Sequence, residues 1–373
     1  MSREEQARAL HEKFHGKIAT ALKVPIENRE DLALVYTPGV GHISELIARD
    51  VSLANTYTNI GNTVAIVSDG SAVLGLGNIG AKAAMPVMEG KAALFKHFAD
   101  IDAVPIVLST QNPDEIIAAV RAIAPSFGGI NLEDIAAPGC FVVEAALQDL
   151  AIPVFHDDQH GTATVVLAGL LNACKLREID TATARIVING AGAAGLAIFD
   201  LLWEAGMRAI TVVDSKGTLC SARTDLNEYK RTVAEKTNPT TTTLAEALVG
   251  AEVFIGVSKA GVLSKDLIMT MAQRPIIFAM ANPVPEIMPD EAHAAGAYIV
   301  ATGRSDFPNQ INNALVFPGL FRGALDTGTT VITVAHMISA AHAIAGLVET
   351  PTPVYIIPDI FDPRLVESVK AVF

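Results

Sequence analysis

Hydrophobic residues along this chain fall in short runs, separated by longer alanine-rich stretches whose apolar positions recur at helical spacing. The runs at Thr63–Val67, Ala103–Leu108, Gly129–Leu132 and Ile152–Phe155 predict strands in the first half. Arg185–Asn189, Ala209–Val213, Val253–Val257, Ile276–Met280 and Tyr298–Ala301 predict strands in the second. Strands that alternate with helices imply an α/β fold with mostly parallel sheets. The strand–helix rhythm becomes regular at Arg185, and a helix over about Thr162 to Lys175 joins the halves. The expected domains are therefore residues 1–156 and 157–373, the second ending in helices and a tail broken by Pro351, Pro353 and Pro358.

One uncharged stretch, Val331 to Val348, has the length of a short membrane span, yet it contains Thr333, His336, Ser339 and His342. In a chain with no other such segment it reads as a buried helix. The two histidines are not at i,i+4 spacing, so they are expected in the core or an interface and not as metal ligands.

Half of the 373 residues are hydrophobic and 18% are charged, enough apolar material for a large core. The formal net charge of −13 argues against a nucleic-acid partner. Cys140, Cys174 and Cys220 have no paired or metal-ligand spacing, and the polar start MSREEQARALHEKFHGK lacks the apolar core of a signal peptide. A cytoplasmic protein with no membrane partner is expected.

The pattern GxGxxG occurs twice. In ARIVINGAGAAGLAIFDLLWEAGMRAITVVDSKG a strand precedes it, a helix follows, and Asp214 ends the next strand. That context predicts a dinucleotide turn made by Gly190, Gly192, Ala193, Ala194 and Gly195, with a pyrophosphate at the helix N-terminus. The fold class is thus α/β with two domains, the second a Rossmann-type doubly wound parallel sheet with a helical C-terminal segment. NAD is the expected cofactor, because Asp214 accepts the adenosine ribose hydroxyls and repels a 2′-phosphate, a preference that Ser215, Lys216, Arg223, Lys230 and Arg231 can soften or reverse towards NADP. The other copy, VLGLGNIGAKAAM, carries Gly75, Gly77 and Gly80 but has no acid after its next strand. It reads as close backbone packing, with room to touch a ligand across the cleft.

Two acidic pairs, Glu133-Asp134 and Asp157-Asp158, each follow a strand, where open α/β sheets place their sites. Hard carboxylate oxygens there suit Mg²⁺ or Mn²⁺. Helix or turn capping explains Asp134 and Asp158 equally well. Lys91 sits in an Ala-, Met- and Phe-rich stretch and is either a solvated surface lysine or a buried base whose pKa burial and nearby cations depress. Tyr36 reads as a half-buried tyrosine before the Pro38-Gly39 turn.

Seven segments in order resemble the malic enzymes: LVYTPGV, GLGNIGAKAAMPVMEGK, INLEDI, FHDDQHGTA, NGAGAAG, MANPVPEI and TGRSDFPNQINNALVFPG. The similarity runs over nearly the whole chain and is that of the short bacterial type. It implies oxidative decarboxylation of malate to pyruvate and CO₂ with NAD or NADP and a divalent metal, in a homodimer. By the same resemblance Tyr36 matches the general acid and Lys91 the general base. Glu133, Asp134 and Asp158 match the metal ligands, and Asn282 and Asn313 the asparagines near malate and nicotinamide. Where large eukaryotic relatives carry an arginine for a malate carboxylate, this chain has Ala72, which implies that another group binds that carboxylate. Ser109 stands where the family pattern has an acid, and the tyrosine loop reads Tyr36-Thr37-Pro38-Gly39-Val40-Gly41-His42. The alternatives are a non-redox malate or oxaloacetate decarboxylase and a catalytically retired dinucleotide sensor.

Overall fold

The computed structural model describes residues 2–73, 75–237 and 242–373. Four parallel strands, β1 (Thr63–Ser68), β2 (Asp102–Val107), β3 (Gly129–Leu132) and β4 (Val154–His156), form a first sheet in the order β2-β1-β3-β4. The second sheet contains β5 (Ile186–Asn189), β6 (Ile210–Asp214), β7 (Gly217–Thr218), β8 (Val253–Gly256), β9 (Ile276–Ala279) and β10 (Ile299–Thr302). Its order is β10-β9-β8-β5-β6-β7, parallel except for β7, which pairs antiparallel with β6. Every run expected as a strand forms one, with ends displaced by a residue or two. The two-residue β7 was not expected, because it is too short to leave a pattern of alternation.

β1, β3, β5, β8 and β9 are buried along their whole length, as parallel strands covered on both faces must be. One continuous core unites the sheets. The helix Thr162–Arg177 follows β4 and buries almost every residue of its first three turns between them. The helix Phe317–Thr327 returns to the first sheet: Phe317 and Phe321 stack on Phe95 at ring separations of 4.6 and 5.3 Å. Aromatic contacts of this kind pin the chain's late segment onto its early one.

The stretch around Val331–Val348 forms the helix Val334–Gly346, begun by a capping box from Thr333 and burying Met337, Ala340, Ala341 and Ile344. Among the described residues no helix is long and apolar enough to cross a membrane. His336 stacks on Phe373 at 4.4 Å. His342 is exposed and is not a core residue, because its side of the helix faces away from the packed stripe.

The start of the chain behaves differently. The helices Arg3–Phe14, Arg29–Val35 and Gly39–Arg49 bury no residue at all. Phe14, Leu22, Leu34 and Val51 are all largely exposed.

Candidate active site

Strand order reverses at β1 in the first sheet and at β5 in the second, and such switch points open crevices at the strands' carboxyl ends. A cleft of about 550 Å³ opens between the two sheets. Its wall includes Asp134, Asp158, the Gly192–Ala194 turn, Asn282 and Asn313. Seven of the candidate site residues therefore share one cavity, together with Ala72 and Gly75, and Glu133 and Lys91 are buried behind it.

Asp134 follows β3 with a positive φ of 55°, and its backbone N–H donates to Asp158 Oδ2 at 2.7 Å. Asp158 lies in a π-helical turn, Asp157–Gly161, that follows β4. The next helix has no side-chain cap, so Asp158 is not a capping residue. Glu133, Asp134 and Asp158 each present an oxygen, and the three lie within 4.8 Å of one another. Burial pushes the Glu133 carboxyl up to about 7 and raises Asp158 as well. Crowded, desolvated carboxylates with no nitrogen or sulfur donor among them fit a hard divalent cation such as Mg²⁺ or Mn²⁺.

Lys91 is buried in the helix Ala81–Ala99. Its ammonium lies 2.6 Å from Glu133 Oε2, also bonds Asp157, and sits 4.5 Å above the Phe317 ring. An unpaired buried ammonium costs several kcal/mol, so these partners are what permit its burial. Burial alone would lower its pKa, but Asp157, Glu133 and Asp158 outweigh that and hold Lys91 above the ordinary lysine range. The expected depression by neighbouring cations is thus corrected, since the neighbours are acids.

Three residues take positioning roles that the sequence did not indicate. Asp157 bonds Lys91, and a Cβ on Gly161 would stand 1.9 Å from its Oδ1, so the π turn requires glycine there. Glu144 accepts the His156 N–H at 3.0 Å and the Gln159 amide at 3.1 Å, and it pairs with His160 at 2.9 Å. It fastens the turn that carries Asp157 and Asp158. Glu286, fully buried, accepts N–H groups from Ser258 at 3.0 Å and Ala281 at 2.9 Å, tying together the loops after β8 and β9. A lone acid inside an apolar helix, GCFVVEAAL, was the available signal for Glu144.

At the glycine turn, a Cβ on Gly195 would stand 1.8 Å from the Gly190 carbonyl, whereas one on Gly192 would meet nothing within 4 Å. Gly195 serves helix packing, and Gly192 leaves open space at the N-terminus of the helix Ala193–Glu204, as a pyrophosphate needs. Asp214 closes β6 beside this turn: Val213, its neighbour, accepts the Gly190 N–H at 2.8 Å. Tyr36 stands apart. It ends the helix Arg29–Val35, is 67% exposed rather than half-buried, and is not part of the cleft wall.

Known proteins resemble both halves of the chain. A family model described as the malic enzyme N-terminal domain matches residues 15–148, and one described as the malic enzyme NAD binding domain matches 159–369. The chain is 52% identical to the bifunctional malic/malolactic enzyme of Bacillus subtilis (strain 168), over 100% of this chain and 92% of that one. It is also 52% identical to the NAD-dependent malic enzyme of Geobacillus stearothermophilus, over 95% of this chain and 75% of the relative. The crystal structure of an NAD-dependent malic enzyme from Thermotoga maritima superposes with a TM-score of 0.95 at 51% identity, covering 98% of each chain. With both halves matched and the carboxylates, lysine and glycine turn gathered at one cleft, the chain belongs to the malic enzyme family.

Proposed function

We propose that this protein oxidatively decarboxylates malate to pyruvate and CO₂ while reducing NAD(P)⁺, at the cleft between its two sheets. The observation that carries this reading is the meeting, in one cavity, of the Asp134 and Asp158 carboxylates with the Gly192 turn and Asn282 and Asn313. Glu133, Asp134 and Asp158 would hold a divalent ion, which would supply Lewis-acid polarisation of the substrate oxygens, and a bound nicotinamide would supply the hydride acceptor.

Lys91 is the base for the malate hydroxyl in this reading. Its own proton has a carboxylate to go to in Asp157, which is in direct contact with its ammonium and outside the metal set. Asn131 donates to Glu133 Oε2 at 2.9 Å and holds that carboxylate in place. Asn282 and Asn313 offer amides to the substrate carboxylates and the nicotinamide, a role that no arginine fills at Ala72. Tyr36 donates a proton to C3 of enolpyruvate.

The enzyme acts as a homodimer in this reading. An arm that exposes Phe14, Leu22, Leu34 and Val51 calls for a partner surface, and a second copy supplies one. Tyr36 then reaches the cleft of that second copy. The N-terminal domain spans residues 1–156 and the dinucleotide domain 157–373, and the enzyme resides in the cytoplasm, in keeping with the buried thiols of Cys140 and Cys174.

Binding of Mn²⁺ followed by calorimetry tests the site without turnover. The wild type should take one ion per chain, and Asp158→Asn should weaken it by at least about tenfold, since a charged ligand is lost. Equal affinity in the two proteins would contradict the assignment.

A further inference from the structure

The carboxylate of Asp214, expected to receive the adenosine ribose, is already occupied on every side. Its Oδ1 accepts the Lys216 backbone N–H at 2.9 Å and Arg223 Nη1 at 2.8 Å. Its Oδ2 accepts Arg223 Nη2 at 3.2 Å and Lys230 Nζ at 2.9 Å. A carboxylate offers about four acceptor sites, and four donors fill them here.

Arg223 is equally committed. Its Nε and Nη2 each donate to Asp225 at 2.9 Å, and Nη1 also reaches the carbonyls of Gly217 and Thr218 at 3.3 Å. With a side chain only 8% exposed it is a bracket between the two aspartates, not a free cation. Lys216 Nζ closes the far side of Asp225 at 2.8 Å. Three cations, Lys216, Arg223 and Lys230, thus face two carboxylates, Asp214 and Asp225, and the cluster carries a net charge of 3 − 2 = +1. Lys230 spends one ammonium proton on Asp214 and is partly exposed, so its other donors are open to a ligand.

We infer that Asp214 serves as the anchor that aims Lys230 and fixes Arg223, and that this position takes a 2′-phosphorylated adenosine in preference to one with a free 2′-hydroxyl. The inference rests on the dinucleotide reading of the Gly192 turn. A lone aspartate at this strand end rejects a 2′-phosphate by charge repulsion. Here its charge is offset. A ribose diol would have to displace Lys230 or the Lys216 N–H from Asp214, exchanging one bond to the carboxylate for another with no net gain. A phosphate displaces nothing and gains charge-assisted bonds from Lys230 and Lys216. Lys230 is therefore the specificity-determining residue.

Binding of NADPH and NADH, followed by nicotinamide fluorescence without substrate, tests this. NADPH should bind about tenfold more tightly than NADH, the factor that one charge-assisted contact supplies. Its affinity should also fall more steeply with added salt. Lys230→Met should weaken NADPH about tenfold and leave NADH within about twofold. Lys230→Arg, which keeps the charge, should restore most of the NADPH preference. NADH binding as tightly as NADPH to the wild type, or Lys230→Met weakening both alike, would overturn the inference while leaving the dinucleotide site standing. Failure of both to bind would remove the dinucleotide reading and this inference with it.

Discussion

Gly75, from the glycine motif that is not the dinucleotide turn, lies directly against the backbone of Asn282: a Cβ on Gly75 would stand 1.9 Å from the Asn282 carbonyl oxygen. The contact joins the loop after β1 to the loop after β9, one from each sheet, and both line the cleft. Gly75 also has a φ of +69°, a conformation that other residues adopt only with strain. The two glycine motifs therefore divide the work, one approaching the cofactor's place and the other closing the cleft onto Asn282.

This division predicts opposite behaviour for two substitutions. Gly192→Val should leave the melting temperature nearly unchanged, because nothing stands within 4 Å of its Cβ, yet weaken dinucleotide binding at least about tenfold. Gly75→Ala has to push Asn282 away, so it should raise the malate KM and lower kcat, with a smaller loss of cofactor affinity than in Gly192→Val. Calorimetric cofactor titration of the two variants decides. Loss of cofactor binding in Gly75→Ala alone would reverse the roles assigned to the motifs.

A second prediction concerns Glu144 and His160, which pair at 2.9 Å under the π turn. Burial alone would lower the His160 pKa, but Glu144 outweighs it and raises it above the ordinary 6.5. Burial alone would raise Glu144, but His160 outweighs it and holds Glu144 below 4.5. A raised histidine stabilises the fold fully below its unfolded pKa and loses that contribution as pH rises through its folded value. A depressed glutamate stabilises above its unfolded pKa and loses that contribution as pH falls through its folded value. The pair is therefore worth most between 4.5 and 6.5. Glu144→Gln should cost on the order of 1–3 kcal/mol in that window and less above it, read from denaturant unfolding at several pH values. A cost that does not vary with pH would contradict the pairing as a charged one.

The roles of Lys91 and Tyr36 separate in partial reactions and in mixtures. Lys91→Ala should abolish malate oxidation. Tyr36→Phe should slow overall decarboxylation by about 10²–10⁴-fold and spare oxaloacetate reduction, which needs no enolpyruvate protonation. If the Tyr36 arm serves a second copy, mixing equal amounts of the two inactive variants should regenerate about a quarter of the sites, because about half of the dimers are mixed and one site of each pairs an intact Tyr36 with an intact Lys91. No recovery after prolonged exchange, with both variants folded, would show that the two residues act within one chain.

Much of this site was legible because it depends on local order in the chain. The Gly190–Gly195 turn, its flanking strand and helix, and the acids after β3 and β4 are all fixed by short-range pattern. What escaped depends on through-space pairing. Sequence offers no way to see that adjacent Asp157 and Asp158 point apart, one to Lys91 and the other to Asp134, because only the π turn separates them. The partners of Asp214 lie up to 16 residues away, so a residue expected to accept a ribose is found engaged by Arg223 and Lys230. Tyr36 was placed half-buried from its Pro-Gly turn, but a turn fixes backbone direction and says nothing about what covers it.

The central claim is that this cleft couples oxidation of malate to its decarboxylation under metal control. Pyruvate, CO₂ and reduced nicotinamide, measured together during malate turnover with Mn²⁺, should appear in a ratio of one to one to one. All three should cease after chelator treatment and return together when Mn²⁺ or Mg²⁺ is restored. Loss of malate carbon as CO₂ without net NAD(P)H, or undiminished turnover by the metal-free protein, would contradict the account.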